Sequence, residues 1–285
     1  MFIFICYSNK VKAFKIIDRS IEDLLLPYKN IYYEALKWIK THKYNNVSIK
    51  AYDGVKLTGI YFKNPKEKAN LILAHGYRSK KERDLYASVH EYYNMGFSIL
   101  LVDMRGCASG GKYITFGYKE SKDLSKWVDY IYKKNPKSPI VLGGISLGAT
   151  ATLLTNNPHV KCMIEDSAFV SAYDEIKYCI KYYFHLPSII FMPLISLFCK
   201  FLAGFSLKKT NTLDNLANLN IPILFIHGSK DDFVPVINCN INYDNYKGKK
   251  EILIIDGAMH GMGYLIDRDK YISTIKKFTN KYVFK

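Results

Sequence analysis

Arginine is scarce in this sequence, and acids are few. Of the 41 basic residues only Arg19, Arg78, Arg83, Arg105 and Arg268 are arginine; against 25 acids the net charge is +16. A nucleic-acid binder would cluster its arginines within a recognisable module. Neither is present, so no nucleic-acid partner is expected. The abundant lysine reads first as a solvated basic surface, with attraction to anionic lipid or an acidic substrate as the sharper alternative. Long hydrophobic runs are also missing. No stretch reaches the roughly 20 apolar residues that a membrane-spanning helix needs. Cys6, Cys107, Cys162, Cys179, Cys199 and Cys239 form no Cys-x-x-Cys pair, and no His is spaced with them as a zinc ligand. Scattered cysteines suit a reducing cytosol, so a cytoplasmic location is expected. Residues 1–6 are apolar but too few for a secretory core, and Lys10 and Lys12 lie on the wrong side of them.

What is present is a core. Hydrophobic residues make up 49% of 285, which excludes intrinsic disorder and fits one large domain or one domain with an insertion. Residues 10–45 read as helix. Ile16, Ile17, Ile21, Leu24 and Leu25 recur at spacings of three and four, Pro27 breaks the run, and Tyr32, Leu36 and Ile39 resume it. Residues 1–46 are therefore expected to be a helical extension packed on the domain. Its lysine-rich face also suits peripheral contact with a membrane.

From Val47 the period changes to two. Val47, Ile49 and Ala51 alternate with polar residues, Asp53-Gly54 signals a turn, and residues 55–62 return. Short apolar runs then alternate with amphipathic stretches. The runs cover 71–74, 97–102, 140–143, 160–164, 221–226 and 252–255. Continuous apolar character predicts strands buried on both faces, and the gaps are long enough for crossover helices. The prediction is an α/β domain over 47–285: a mostly parallel, doubly wound sheet with an antiparallel N-terminal hairpin. Residues 168–212 are too long for an ordinary crossover. They are very apolar from 184 to 205, with Pro187 and Pro193 predicting short helices. An apolar insertion at the C-terminal edge of a sheet predicts a lid over a pocket.

Chemistry concentrates in three turns. Gly144-Ile145-Ser146-Leu147-Gly148 fits G-x-S-x-G between a predicted strand and a predicted helix. Small residues at both ends leave room for a strained backbone that lifts the hydroxyl above the sheet. A nucleophilic serine also needs a base, and the base needs a carboxylate to orient it. Asp231, with Asp232 beside it, follows the strand ending near His227-Gly228. His260 follows the strand ending near Ile255. The chain order Ser146, Asp231, His260 is that of the nucleophile-elbow hydrolases.

Other motifs fall in the same order. They are His75-Gly76, Asp103-Met104-Arg105-Gly106 with Ser109, Glu165-Asp166-Ser167, His227-Gly228-x-x-Asp231-x-x-Val234-Pro235, and Gly257-Ala258-Met259-His260. Over residues 47–283 the chain resembles the α/β-hydrolase superfamily, in particular bacterial serine hydrolases of the esterase and serine aminopeptidase-like groups. The resemblance implies Ser146 as nucleophile, His260 as general base and Asp231 as the acid that orients it. The spacing from Gly228 selects Asp231 over Asp232. It also implies an oxyanion hole from the backbone N–H groups of Tyr77 and Leu147, and no metal or organic cofactor. His75 is expected to fix the oxyanion loop, and Asp103 and Arg105 to stabilise another loop. Arg78, Lys80, Lys81 and Arg83 read first as a solvated basic loop, with a site for an anionic group on a substrate as the alternative.

Three functions follow. The first is hydrolysis of carboxylic esters, on small-molecule or lipid-like substrates. The second is a serine aminopeptidase-like peptidase, for which Glu165, Asp166 and Asp174 are candidate acids to hold a substrate amine. The third is a membrane-surface or partner-binding protein on a hydrolase scaffold.

Overall fold

A computed structural model describes residues 5–7 and 25–284. The expected helix over residues 10–24 lies outside the described residues. Beyond Pro27, within a 3-10 turn (Leu26–Tyr28), the chain forms α1 (Lys29–Thr41). Ala35 and Ile39 of α1 are buried, and Tyr32 donates through its hydroxyl to Arg83 O at 3.0 Å. Leu36, by contrast, is exposed.

The hairpin follows as β1 (Asn45–Lys50) and β2 (Lys56–Phe62), closed where Ala51 N–H donates to Val55 O at 2.8 Å. Then come β3 (Ala69–Ala74), α2 (Lys81–Asp84), α3 (Tyr86–Asn94), β4 (Phe97–Val102), α4 (Tyr118–Lys134) and β5 (Ile140–Ile145). Next are α5 (Leu147–Leu153), β6 (Val160–Asp166), α6 (Ala172–Tyr182), α7 (Ser188–Phe198), a π turn (Cys199–Ala203) and α8 (Thr212–Leu216). The chain closes with β7 (Ile223–Gly228), α9 (Ile237–Asn245), β8 (Lys250–Ile255), α10 (Gly263–Ile266) and α11 (Arg268–Tyr282).

The eight strands form one sheet in the order β1-β2-β4-β3-β5-β6-β7-β8. β1 and β2 are antiparallel, β2 runs antiparallel to β4, and the remaining pairs are parallel. Alternation along each strand feeds two cores. In β3, Ile72 and Ala74 join the core under α4, α5 and α6, which holds Trp127, Leu147 and Ile176. Leu71 and Leu73 join the opposite core with Val89, Ile275 and Phe278. This is why the central runs are apolar at every position. β8 departs from the expectation. It is an edge strand, and Ile252 is exposed on it.

The segment from 168 to 212 is helical, but Pro193 does not break it. It lies inside α7. Proline removes one hydrogen bond from the helix, and at this exposed position water can serve the freed carbonyl. Among the described residues no helix is long and apolar enough to cross a membrane.

Trp127 is 1% exposed and among the largest fully buried side chains. Trp127→Ala is expected to cost about 3–5 kcal/mol, the usual range for emptying an aromatic core site. Tyr33→Ala, at an exposed position, is expected to stay within about 0.5 kcal/mol. Chemical denaturation checks the pair, and equal midpoints would contradict this account of the core.

Candidate active site

The parallel strands deliver their C-terminal ends to one edge of the sheet. His75, Ser146, Ser167, the 229–231 turn and the 256–260 turn each follow a strand there. Open α/β sheets place their ligands at this edge.

Ser146 stands between β5 and α5 with φ 57° and ψ −118°. A non-glycine residue rarely adopts such a backbone, and it persists only where its surroundings enforce it. Ser146 N–H donates to Asp166 O at 2.8 Å, and Ser146 O accepts from Thr150 N–H at 2.9 Å. The flanking glycines allow the approach. A Cβ on Gly148 would lie 2.2 Å from Ala74 O, and one on Gly144 would lie 2.4 Å from the Gly148 carbonyl carbon. The motif's small residues are thus set by backbone contact between β3, β5 and α5.

The loop after β3 lies beside the serine. Gly76 sits so close that its added Cβ would be 3.3 Å from Ser146 Cβ. His75 is fully buried. Its Nε2 faces the Met104 N–H at 3.0 Å and so must accept, which leaves the proton on Nδ1 to donate to Gly76 O at 2.9 Å. Burial pushes the His75 pKa down, against the pull of the Asp84 carboxylate, and keeps it neutral. Asp84 is a residue the sequence reading missed. It accepts from Gly76 N–H at 2.8 Å and from Ser79 Oγ at 2.6 Å. Among the described residues the N–H groups of Tyr77 and Leu147 have no hydrogen-bond partner.

The basic cluster on this loop is not the solvated patch expected from sequence. Lys81 is buried and pairs with Asp103 at 2.6 Å. Arg78 donates to Tyr77 Oη at 2.8 Å and to Tyr7 O at 2.9 Å, and Tyr77 Oη donates to Ile5 O at 2.6 Å. Lys80 remains exposed. Asp103 and Arg105 are structural ties. Asp103 also accepts from Thr58 Oγ1 at 2.8 Å, and Arg105 pairs with Asp123 at 2.5 Å and Asp53 at 2.8 Å.

Asp231 and His260 meet. His260 Nδ1 lies 2.7 Å from Asp231 Oδ2. The other carboxylate oxygen accepts from the N–H groups of Phe233 at 3.1 Å and Val234 at 2.8 Å. Asp232 is exposed and does not share this contact. Burial alone would raise the Asp231 pKa. The adjoining His260 and the hydrogen bonds from both histidines outweigh it and hold the carboxyl far below the usual range. His227 is fully buried, deeper than expected from sequence, with Nε2 at 2.8 Å from Val234 O and 3.2 Å from Asp231 Oδ2. A backbone contact joins the two loops: a Cβ on Gly228 would lie 2.2 Å from Ala258 O. Gly261 closes on Ile145 Cγ2, 3.2 Å from where its Cβ would stand, which sets the His260 loop against the serine turn. Among the described residues no hydrogen bond joins Ser146 Oγ to His260.

The acids named for an amine-binding role are engaged or turned to solvent, although Asp166 lies beside the serine turn. Asp174 is exposed, Glu165 is buried, and Asp166 accepts from Ser167 Oγ and Tyr271 Oη at 3.0 Å each. Glu175 on α6 was overlooked. It is 7% exposed, within the electrostatic reach of His260, Asp231 and His227. Its signal was legible. It shares a helical stripe with Ala172, Ile176, Cys179 and Ile180, where an acid is out of place.

Residues 31–191 match the model of the X-Pro dipeptidyl-peptidase (S15) family. The chain belongs to the S15 peptidase family. The match specifies no serine aminopeptidase-like subgroup, and Asp231 and His260 lie beyond the matched residues. An uncharacterized protein of Bacillus subtilis (strain 168), YqkD, is 28% identical over 214 residues, 73% of this chain and 70% of that protein. The esterase Pf2001 of Pyrococcus furiosus superposes with a TM-score of 0.69 at 25% identity, covering 85% of this chain and 92% of that one. The acylaminoacyl peptidase of Pyrococcus horikoshii shares the fold at a TM-score of 0.65 and 19% identity, over 87% of this chain and 43% of that one. This S15 member is thus an α/β-hydrolase-superfamily serine hydrolase, in a group that spans esterases and peptidases.

Burial raises the Glu175 pKa to about 7, against the hydrogen bond from Cys179 Sγ that favours the anion. A carboxyl with a raised folded pKa penalises the fold once it ionises. The penalty grows as pH rises from the unfolded value, near 4.5, through the folded one. Glu175→Gln carries no such cost. Its melting temperature relative to wild type is expected to rise between about pH 5 and about pH 8. Parallel melting curves across that window would refute the assignment.

Proposed function

We propose that the protein hydrolyses carboxylic esters through an acyl-enzyme. One observation carries the reading: the 2.7 Å Asp231–His260 contact stands at the sheet edge where Ser146 occupies its strained turn. Ser146 attacks the carbonyl. With His260 Nδ1 committed to Asp231, Nε2 is the nitrogen that takes the serine proton and passes it to the leaving group. Asp231 fixes the tautomer and stabilises the imidazolium. The N–H groups of Tyr77 and Leu147 hold the oxyanion, and a helix N-terminus at Leu147 adds to their field. Water activated by His260 then releases the acid.

Two findings favour an ester over a peptide. The likeness to the P. furiosus esterase extends over nearly the whole of that chain. The segment 168–212, read as a lid, is rich in apolar side chains that suit short to medium acyl groups. Six free cysteines accord with a cytoplasmic setting. A second reading, a peptidase, is favoured by the family match.

Labelling with a fluorophosphonate probe tests the mechanism. Wild type is expected to label and Ser146→Ala to remain blank. Asp231→Asn is expected to lose about 10⁴-fold in kcat. The substrate class is tested with p-nitrophenyl esters of increasing chain length beside amino-acid p-nitroanilides. Turnover of the anilides alone would replace the ester reading with the peptidase one, and folded wild type that does not label would remove both.

A further inference from the structure

The helical segment after β6, read above as a lid, also turns an apolar face outward. α7 buries Met192 and Ile195 against the core. Its other side leaves Ile189, Ile190, Leu194 and Leu197 exposed, and the π turn adds Phe201 and Leu202. Ile189 is 83% exposed and Phe201 71%. Isolated exposed apolar residues are ordinary, but a contiguous group of this kind marks a surface that meets something.

From α7 to Lys209 the charged side chains are all lysine, while α6 beside it also carries exposed Asp174 and holds exposed Asp232 through Tyr178 and Tyr183. Between residues 176 and 213 the charged side chains are Lys177, Lys181, Lys200, Lys208 and Lys209, with no Asp or Glu. Lys200 and Lys208 line one groove with Pro193 and Leu197. Lys177 and Lys181 stand exposed on α6, which packs against α7. A second copy of this chain would bring lysine to lysine, in a molecule whose net charge is already +16. The face itself offers Ile, Leu and Phe with lysines at its margin and no Trp or Arg; the exposed tyrosines, Tyr182 and Tyr183, lie at the end of α6, where Tyr183 is tied to Asp232 O. Apolar side chains in the plane of a helix, edged by lysine, match the boundary between acyl chains and anionic headgroups.

We propose that the exposed face of α7 and the π turn docks on an anionic lipid bilayer. Ile189, Ile190, Leu194 and Phe201 enter the headgroup boundary, and Lys200 and Lys208 meet the lipid charge. The inference is independent of the bond that the active site cleaves.

Sedimentation of the full chain with vesicles tests it. At low salt the protein is expected to sediment with vesicles of phosphatidylcholine and phosphatidylglycerol, and at least about ten-fold less with phosphatidylcholine alone. The double variant Ile189→Glu with Phe201→Glu is expected to weaken binding at least about ten-fold. Lys200→Glu with Lys208→Glu is expected to weaken it similarly and to flatten its salt dependence. All four positions are exposed, so unchanged circular dichroism and melting temperature are expected and confirm that the variants fold. No sedimentation at low salt would overturn the proposal. So would full binding by the Ile189 and Phe201 variant, which would assign attraction to general charge. A wild-type dimer in analytical ultracentrifugation that this variant dissolves would give the face to a second copy, and would overturn it as well.

Discussion

Two backbone contacts hold the site together, and each requires an absent side chain. Gly148 lies against the end of β3, where a Cβ would meet Ala74 O at 2.2 Å. Gly228 lies against the turn after β8, where a Cβ would meet Ala258 O at the same distance. The first brings the serine turn to the His75–Tyr77 loop. The second brings the Asp231 loop to the His260 loop. Packed interiors give little when a group is added, so both contacts restrict the chain tightly. The positive φ of Ser146 is then a consequence. The turn has no slack in which to relax, because β3, β5 and α5 are already in contact.

Charge is distributed to match. The Asp231 carboxylate receives hydrogen bonds from two backbone amides and lies against two histidines, and it is held ionised within a buried environment. Such a carboxylate costs several kcal/mol to desolvate, and only this density of donors offsets it. Glu175 illustrates the opposite case. It has one weak donor, Cys179 Sγ at 3.4 Å, and its pKa rises to about 7. Burial raises both carboxyls; at Asp231 the adjoining His260 and the hydrogen bonds from both histidines reverse it, and at Glu175 burial prevails.

Much of the fold was legible because strand periodicity and turn chemistry are local. The six apolar runs after the hairpin all became strands, and the contact of Asp231 with His260 could be anticipated from where their strands end. What was not legible depends on partners distant in sequence. The basic loop looked solvated because Asp103 and Tyr7, which engage Lys81 and Arg78, lie far away along the chain. Ile252 appeared internal because an apolar run carries no record of its position in the sheet order. Pro193 looked like a helix end because its exposure, which lets water meet the freed carbonyl, is a tertiary property. Glu175 was missed for another reason. Its stripe is visible in the sequence, but an apolar stripe does not say whether its one acid is buried with the rest or turned to solvent.

The helical segment is tied to the loop that carries the acid. Tyr178 and Tyr183 at the C-terminal end of α6 both donate to Asp232 O, at 2.8 and 3.2 Å. Tyr183 also packs on Phe233, and Phe233 packs on the His260 ring with centroids 5.0 Å apart. Thus the residue beside Asp231 is the anchor point of α6, and α6 packs directly against α7. Displacing α6 breaks two hydrogen bonds to the acid loop and removes an aromatic contact from the chain that ends at His260. The apolar face of α7 and the Asp231–His260 pair are therefore joined through α6, with no other element between them. α7 is thus linked to the His260 ring by a continuous series of contacts through α6, Tyr183 and Phe233.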